Sequence, residues 1–293
     1  MEFGKPVIDI IRARRSVRSY AGDKLLPADK KKITGFIKKE HDTVFGTLPR
    51  FEFIDASDLD PEELKNLGTY GFITGTRYFI AGIIKKSDDG PRLLVDLGYV
   101  FEKIILFLTD LNLGTCWLGG TFNKKGFSSK VTLKEDEIMP GVSPVGTIAD
   151  KRTLKSSIIR TLAGSKNRKP WEKLFFSDSF SNPLDKSDSG QYAEALEMVR
   201  IAPSASNLQP WRAIKEKDKD VFHFFIKRSK FYQRRSLYLN LQYIDMGIAL
   251  CHFKLTALEL GLGGEWEVME DIEKNKGYGI ASNTEYMITW NGS

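Results

Sequence analysis

Apolar residues along the chain fall into long blocks and short runs. Residues Asp96 to Trp117 read DLGYVFEKIILFLTDLNLGTCW, and Asp245 to Trp266 read DMGIALCHFKLTALELGLGGEW. Both are apolar on nearly every side, which predicts central, buried helices. The two segments align without gaps at an offset of 149 residues. Asp96/Asp245, Gly98/Gly247, Leu106/Leu255, Leu111/Leu260, Leu113/Leu262, Gly114/Gly263 and Trp117/Trp266 are identical pairs. Chance gives about one or two identities at ordinary residue frequencies. Asp96 and Asp245 suit helix N-termini, and Gly114 and Gly263 suit left-handed C-terminal stops. A strand is expected before each helix, at Arg77 to Lys85 and Val221 to Lys227. Further strands are expected at Phe51 to Asp55, Pro144 to Ile148 and Tyr286 to Trp290. Short strands between long helices predict an α+β fold with sheets flanked by helices.

The repeat divides the chain into an N-terminal half over 1–164, a crossing connection over 165–190 and a C-terminal half over 191–293. The connection is rich in Ser, Asp, Asn and Pro, the composition of an irregular segment. Composition adds exclusions. The 293 residues are 41% hydrophobic and 28% charged, which excludes a disordered chain, a collagen and a coiled coil. The longest apolar run, Ile104 to Leu108, is far below the ~20 residues of a bilayer span. No signal-peptide pattern opens the chain. Two cysteines, Cys116 and Cys251, make no disulfide framework, so a reducing cytoplasm is the expected compartment.

The net charge of +6 is modest. Lys30, Lys31, Lys32, Lys38 and Lys39 share an amphipathic stretch with Ile33, Phe36 and Ile37, which reads as a solvated helix face rather than a nucleic-acid contact. A basic excess also suits an anionic small ligand. Two segments concentrate candidate chemistry. IRARRSVRSY, Ile11 to Tyr20, offers arginine forks and a serine hydroxyl, the donors a phosphate takes. IAPSASNLQPW, Ile201 to Trp211, is stiffened by Pro203 and Pro210 and carries small polar groups able to hydrogen-bond a planar heterocycle. Taken alone, the first is also readable as a solvated basic cluster and the second as a loop after a helix.

Together these segments resemble the nitroreductase family of FMN-dependent oxidoreductases. The family's R-x-S-x-[RK] motif matches Arg14 to Arg18, and its P-S-x-x-N-x-Q-P-W motif matches Pro203 to Trp211. Its helix beginning with Asp, containing an early Gly and leading to L-G and then W is similar to both long helices, which here end in L-G-x-x-W at Leu113 to Trp117 and Leu262 to Trp266. Gly119 and Gly120 follow Trp117, and Lys166 with Arg168 forms the K-x-R pair. Ordinary members are homodimers whose FMN sites are shared between subunits. Here the first half has the Arg-Ser motif without the P-S-x-x-N loop, and the second half has the reverse. The chain thus resembles two family units fused into a single-chain pseudo-dimer with one surviving composite site.

The resemblance implies roles. Arg14, Arg15, Ser16, Lys166 and Arg168 would bind the FMN phosphate. Arg18 would face the N1–C2=O edge of the ring, where a fixed cation favours the reduced, anionic form. Pro203, Ser204, Ala205 and Asn207 would line the ring from the other half. Gly119 and Gly120 would admit the backbone to the N5/O4 edge, and Thr69 to Gly71 is a weaker candidate for ring contact. NADH or NADPH would reduce the flavin transiently, with no protein residue as catalytic acid or nucleophile. The acceptor would be a small electron-poor molecule such as a nitroaromatic or quinone. A flavin-sequestering protein, or a specialised reductase or dehalogenase of the same fold, are the alternatives. The expected protein is a monomer with no nucleic-acid or membrane partner. His41, His223 and His252 have no metal-ligand spacing, and Cys116 reads as a buried hydrophobe.

Overall fold

A computed structural model describes residues 3–60, 64, 73–87, 89–120, 122–150, 167–229, 240–272 and 276–293. Two sheets build the α+β frame. The first has the order β1-β2-β4-β3, from β1 (Arg50–Asp55), β2 (Tyr78–Lys85), β3 (Gly114–Thr115) and β4 (Glu137–Gly146), all antiparallel. The second has the order β5-β6-β7-β9-β8, from β5 (Phe175–Ser177), β6 (Trp211–Lys215), β7 (Val221–Lys227), β8 (Gly264–Glu267) and β9 (Thr284–Gly292). β5 pairs in parallel with β6, and the other pairings are antiparallel. β5 arises inside the Ser- and Pro-rich connection and so adds that segment to the edge of the second sheet.

β2 shows why such short runs become strands. Every residue but Lys85 is buried, as for a strand covered on both faces. Ile80 and Ile84 join the central core, while Phe79, Ala81 and Ile83 pack with Phe127 and Val131 on the other side. This is the period of two that a strand imposes.

Helices α1 (Val7–Ala13), α2 (Pro27–Ile37), α3 (Gly90–Asp110), α4 (Lys124–Ser128), α5 (Ala193–Ile201) and α6 (Leu241–Glu259) complete the frame. α3 and α6 are the two repeated segments. They begin earlier than expected, at Gly90 with a proline in the first turn and at Leu241 after Asn240, whose side chain accepts from the Gln242 N–H at 3.2 Å. Asp96 and Asp245 are therefore interior helix residues and not caps. The stops also differ. The left-handed residues are Asn112, φ 59°, and Gly261, φ 75°, again one repeat apart. Gly114 is needed for space instead: a Cβ there would lie 2.8 Å from Val17 Cγ1.

α3 and α6 cross at their glycines. A Cβ on Gly98 would lie 2.2 Å from the Ile244 carbonyl oxygen, and one on Gly247 would lie 2.0 Å from that of Val95. These contacts are reciprocal, because Val95 and Ile244 are also one repeat apart. One continuous core surrounds the crossing, from Ile10 and Ile104 to Phe253 and Trp290. Polar contacts tie the same elements. Glu259 of α6 accepts from the Val7 and Ile8 N–H groups at the start of α1. Asp42 accepts from Lys103 of α3 at 2.8 Å and Lys254 of α6 at 2.9 Å.

Candidate active site

A cleft of about 260 Å³ opens where these elements meet. The segment after α1 supplies Arg14, Arg15, Ser16 and Arg18 to it, and the loop after α5 supplies Pro203 to Asn207. Arg168, Trp117, Gly119, Gly141 and the α6 stripe Leu241, Ile244, Asp245 and Ile248 complete the lining. That stripe is spaced i, i+3, i+4, i+7, one face of a helix.

The arginine segment is pinned by backbone bonds. Arg14 N–H donates to Ile10 at 2.9 Å, Val17 N–H to Thr115 at 2.7 Å, and the Arg18 carbonyl accepts from Thr74 N–H at 2.9 Å. The second loop is held as firmly. Ala205 N–H donates to Asp245 Oδ1 at 2.9 Å, and Gln209 N–H to Ser204 Oγ at 2.9 Å. Ser206, Asn207 and Gln209 adopt positive φ of 51°, 54° and 46°, a left-handed geometry costly for non-glycine residues and frequent at ligand sites. Arg168 braces this loop: its guanidinium donates to Asn207 Oδ1 and, at 2.8 Å, to the Ile201 carbonyl.

Of the residues expected to form one site, Arg14, Arg15, Ser16, Arg18, Gly119, Arg168, Pro203, Ser204, Ala205 and Asn207 converge on the cleft. Lys166 and Thr69 to Gly71 lie outside the described residues. Gly120 is not in the lining, and a Cβ there would meet nothing within 4 Å, so space does not require a glycine. At Gly119 it does, since a Cβ would lie 2.8 Å from the Leu241 side chain.

The electrostatics are one-sided. Arg15 and Arg18 have no ion-pair partner among the described residues. Arg14 is paired only with Glu102, at 3.7 Å, and its Nη1 is buried without a hydrogen-bond partner. Burial, with Arg14 and Arg200 nearby, pushes Arg168 down to about 10. Burial, with Arg212 and Lys227, pushes the adjacent Lys169 down to about 8. Cations so placed are stabilised by a bound anion. The Cys116 thiol is pushed up by burial, which argues against a nucleophile there.

Glu102 and Asp245 are the functional candidates that sequence reasoning missed. Glu102 is fully buried on α3. It accepts from Trp117 Nε1 at 2.6 Å and bonds His252 Nε2 of α6 at 3.0 Å. The repeat carried a signal for it. Cys251 stands at the counterpart position, and Trp266, the counterpart of Trp117, has a buried Nε1 with no partner. Among the described residues the network therefore exists on the cleft side only.

Asp245 is raised to about 8, first by burial and then opposed by the Ala205 N–H. An unfolded aspartate titrates near ~3.9. A carboxyl raised in the folded state contributes stability that is fully present below about pH 4 and lost as pH rises to about 8, at ~1.4 kcal/mol per pH unit. Asp245→Asn removes that titration while keeping an oxygen for Ala205. Urea unfolding of the ligand-free protein at pH 5 to 8 is expected to show a shallower loss of stability in the variant. Parallel curves for the two proteins contradict this.

An arginine-lined cleft between two helix-flanked sheets suits a phosphorylated small ligand. Comparison with known proteins gives the class more closely. The sequence model of a family described as "Putative TM nitroreductase" matches residues 6–257. The chain belongs to this nitroreductase family, a family of oxidoreductases. Its fold matches the crystal structure of a "putative nitroreductase" from Thermotoga maritima MSB8, with 18% identity and a TM-score of 0.58 over 98% of this chain and 93% of that one. A nitroreductase family protein from Clostridium novyi NT matches 50% of this chain and 87% of its own, at 16% identity and TM-score 0.42. A nitroreductase with bound FMN from Desulfitobacterium hafniense DCB-2 matches 50% and 92%, at 15% identity and TM-score 0.41. Among curated proteins none matches significantly. No helix among the described residues is long and apolar enough to cross a membrane.

Proposed function

We propose that the cleft binds FMN and that the protein is an FMN-dependent oxidoreductase. Electrons would pass from NADH or NADPH to a nitroaromatic, a quinone or a similar electron-poor acceptor. The observation that carries this reading is the convergence of the RRSVR and PSASN segments, nearly 190 positions apart in the sequence, on one cleft whose arginines lack enough protein anions. Arg14 Nη1, buried and unpartnered, fits a phosphate oxygen. The two motifs occur once each, so one FMN site per chain is proposed.

Bound FMN supplies hydride acceptance and electron transfer. The chain's own residues bind and orient. Arg14, Arg15, Ser16 and Arg168, joined by Lys166, would hold the phosphate. Arg18 would hold positive charge beside the ring. Pro203, Ser204, Ala205 and Asn207 form the wall from the far side of the α3–α6 crossing, and Trp117, fixed by Glu102, forms another. The reciprocal glycine contact and the central core shared across it support a fused pseudo-dimer that is a monomer in solution, with halves at 1–164 and 191–293. A chain with two cysteines, both buried, suits the reducing cytoplasm.

Anaerobic mixing of the FMN-loaded protein with each nicotinamide tests the reading. Bleaching of the flavin absorbance by NADH or NADPH, and its return with a quinone or nitroaromatic, is the expected result. Flavin that stays oxidised with both donors would instead mark a sequestering protein.

A further inference from the structure

Asp245 and Asp96 hold the same place in the repeat but not the same partners. Both are buried. Asp96 Oδ1 accepts from the Val44 N–H at 2.7 Å and Phe45 N–H at 3.0 Å, and Oδ2 from the Thr47 N–H at 2.9 Å and hydroxyl at 2.8 Å. Burial raises Asp96 as well, but these donors satisfy both of its oxygens and oppose that rise. Asp245 lines the cleft, and among the described residues it has a single donor, Ala205 N–H, on Oδ1, while its buried Oδ2 has no partner. One hydrogen bond does not compensate a buried negative charge. Burial accordingly raises Asp245 to about 8, where gain and loss of a proton lie within reach.

The charges around it set what would move that proton. Arg14, Arg15 and Arg18 line the cleft from the segment after α1, and Arg168 lines it beside the 203–207 loop. That loop contributes no charge. From α3, Glu102 lies against Arg14, and Asp96 is turned into its own loop. On α6 itself, His252 is two turns away and bonded to Glu102. Four guanidiniums against Glu102 and an ionised Asp245 leave about two positive charges, and a phosphomonoester returns about two negative ones, so the oxidised site is near neutral. A hydride brings two electrons and one proton and so adds one further negative charge.

We infer that Asp245 is the charge-compensating carboxyl of the cleft, binding a proton from solvent when the bound cofactor takes up a hydride and releasing it when the hydride leaves. This rests on FMN binding as proposed above. In the first step, from about pH 8 upward where Asp245 starts ionised, the donor's C–H bond breaks, the nicotinamide is oxidised and the cofactor reduced, and an O–H bond forms on Asp245. In the return step the hydride reduces the acceptor, and the Asp245 O–H bond breaks to give its proton to the acceptor or to water. Asp245 acts through charge, as a positioning residue for protons.

Potentiometric titration of the FMN-loaded protein from pH 7 to 10 tests this, because the slope of midpoint potential against pH counts protons per electron pair. Two protons per pair are expected for the wild type over a range beginning near pH 8, and one for Asp245→Asn. One proton throughout for the wild type, or two in the variant as well, would overturn the inference. Should the variant not fold, redox-difference infrared spectra of the wild type decide. At about pH 9, where Asp245 starts ionised, a carboxylic-acid C=O band gained on reduction and shifted in D2O is expected, and its absence overturns the inference. A wild-type chain that takes up no FMN would instead overturn the proposed function, and this inference with it.

Discussion

Replacing Arg14 and Arg168 together by alanine is expected to raise the FMN dissociation constant about 10²- to 10⁴-fold. Each charge-assisted bond to the phosphate contributes ~1.5–3 kcal/mol, and every 1.4 kcal/mol is tenfold in affinity. The two guanidiniums reach the cleft from near the start of the first half and from the connection that follows it. Arg14 follows α1, with its Nη1 unpartnered. Arg168 precedes β5 and also braces Asn207 and Ile201. Riboflavin separates the two parts of the effect, because it has the ring and the ribityl chain without the phosphate. Its affinity should fall far less than that of FMN, by the amount the loosened loop costs. An FMN affinity unchanged in calorimetry, or an equal loss for riboflavin, would remove these arginines from the phosphate.

Gly247→Ala is expected to destabilise the protein by about 4 kcal/mol or more, at the far end of single-substitution effects. The added methyl would sit 2.0 Å from the Val95 carbonyl oxygen and 2.7 Å from the Tyr99 amide nitrogen. Both are backbone atoms of a buried helix and have no rotamer by which to yield, so the helices must separate along the core they share. Gly98→Ala makes the reciprocal clash with Ile244. Gly35→Ala is the control. It lies in α2 with nothing within 4 Å of a Cβ, and alanine there should stabilise by ~0.4–1 kcal/mol. Urea midpoints for the three variants, measured without ligand, check the comparison. Retention of wild-type stability by Gly247→Ala would mean that α3 and α6 do not cross at these glycines.

The repeat made the architecture legible because its offset survives in the fold. α3 and α6 end at Asp110 and Glu259, one offset apart, and the reciprocal glycine contact falls on residues already paired by sequence. β7 was legible to the residue, since VFHFFIK is bounded by polar turns on both sides. Helix starts were not. An aspartate at the edge of an apolar block reads as a cap, but Asp96 turns to a loop some fifty residues earlier in the chain. No local pattern encodes that partner. β4 extends back to Glu137 through Pro140 and Gly141, well before the start expected at Pro144. Its irregular pairing with β2, between Gly82 and Ile84, accommodates them. The cleft's arginines and its polar loop were visible as motifs. Its apolar and acidic lining was not, because Leu241, Ile244, Asp245 and Ile248 belong to a helix that is buried nearly all round. Only the fold decides which stripe of such a helix faces a cavity.

The most direct test of a single composite FMN site is a calorimetric titration of the flavin-stripped protein with FMN, run beside light scattering for mass. One FMN per chain of 33.2 kDa, with the mass remaining that of one chain, is the predicted result. No saturable binding, or two flavins per chain, would contradict it.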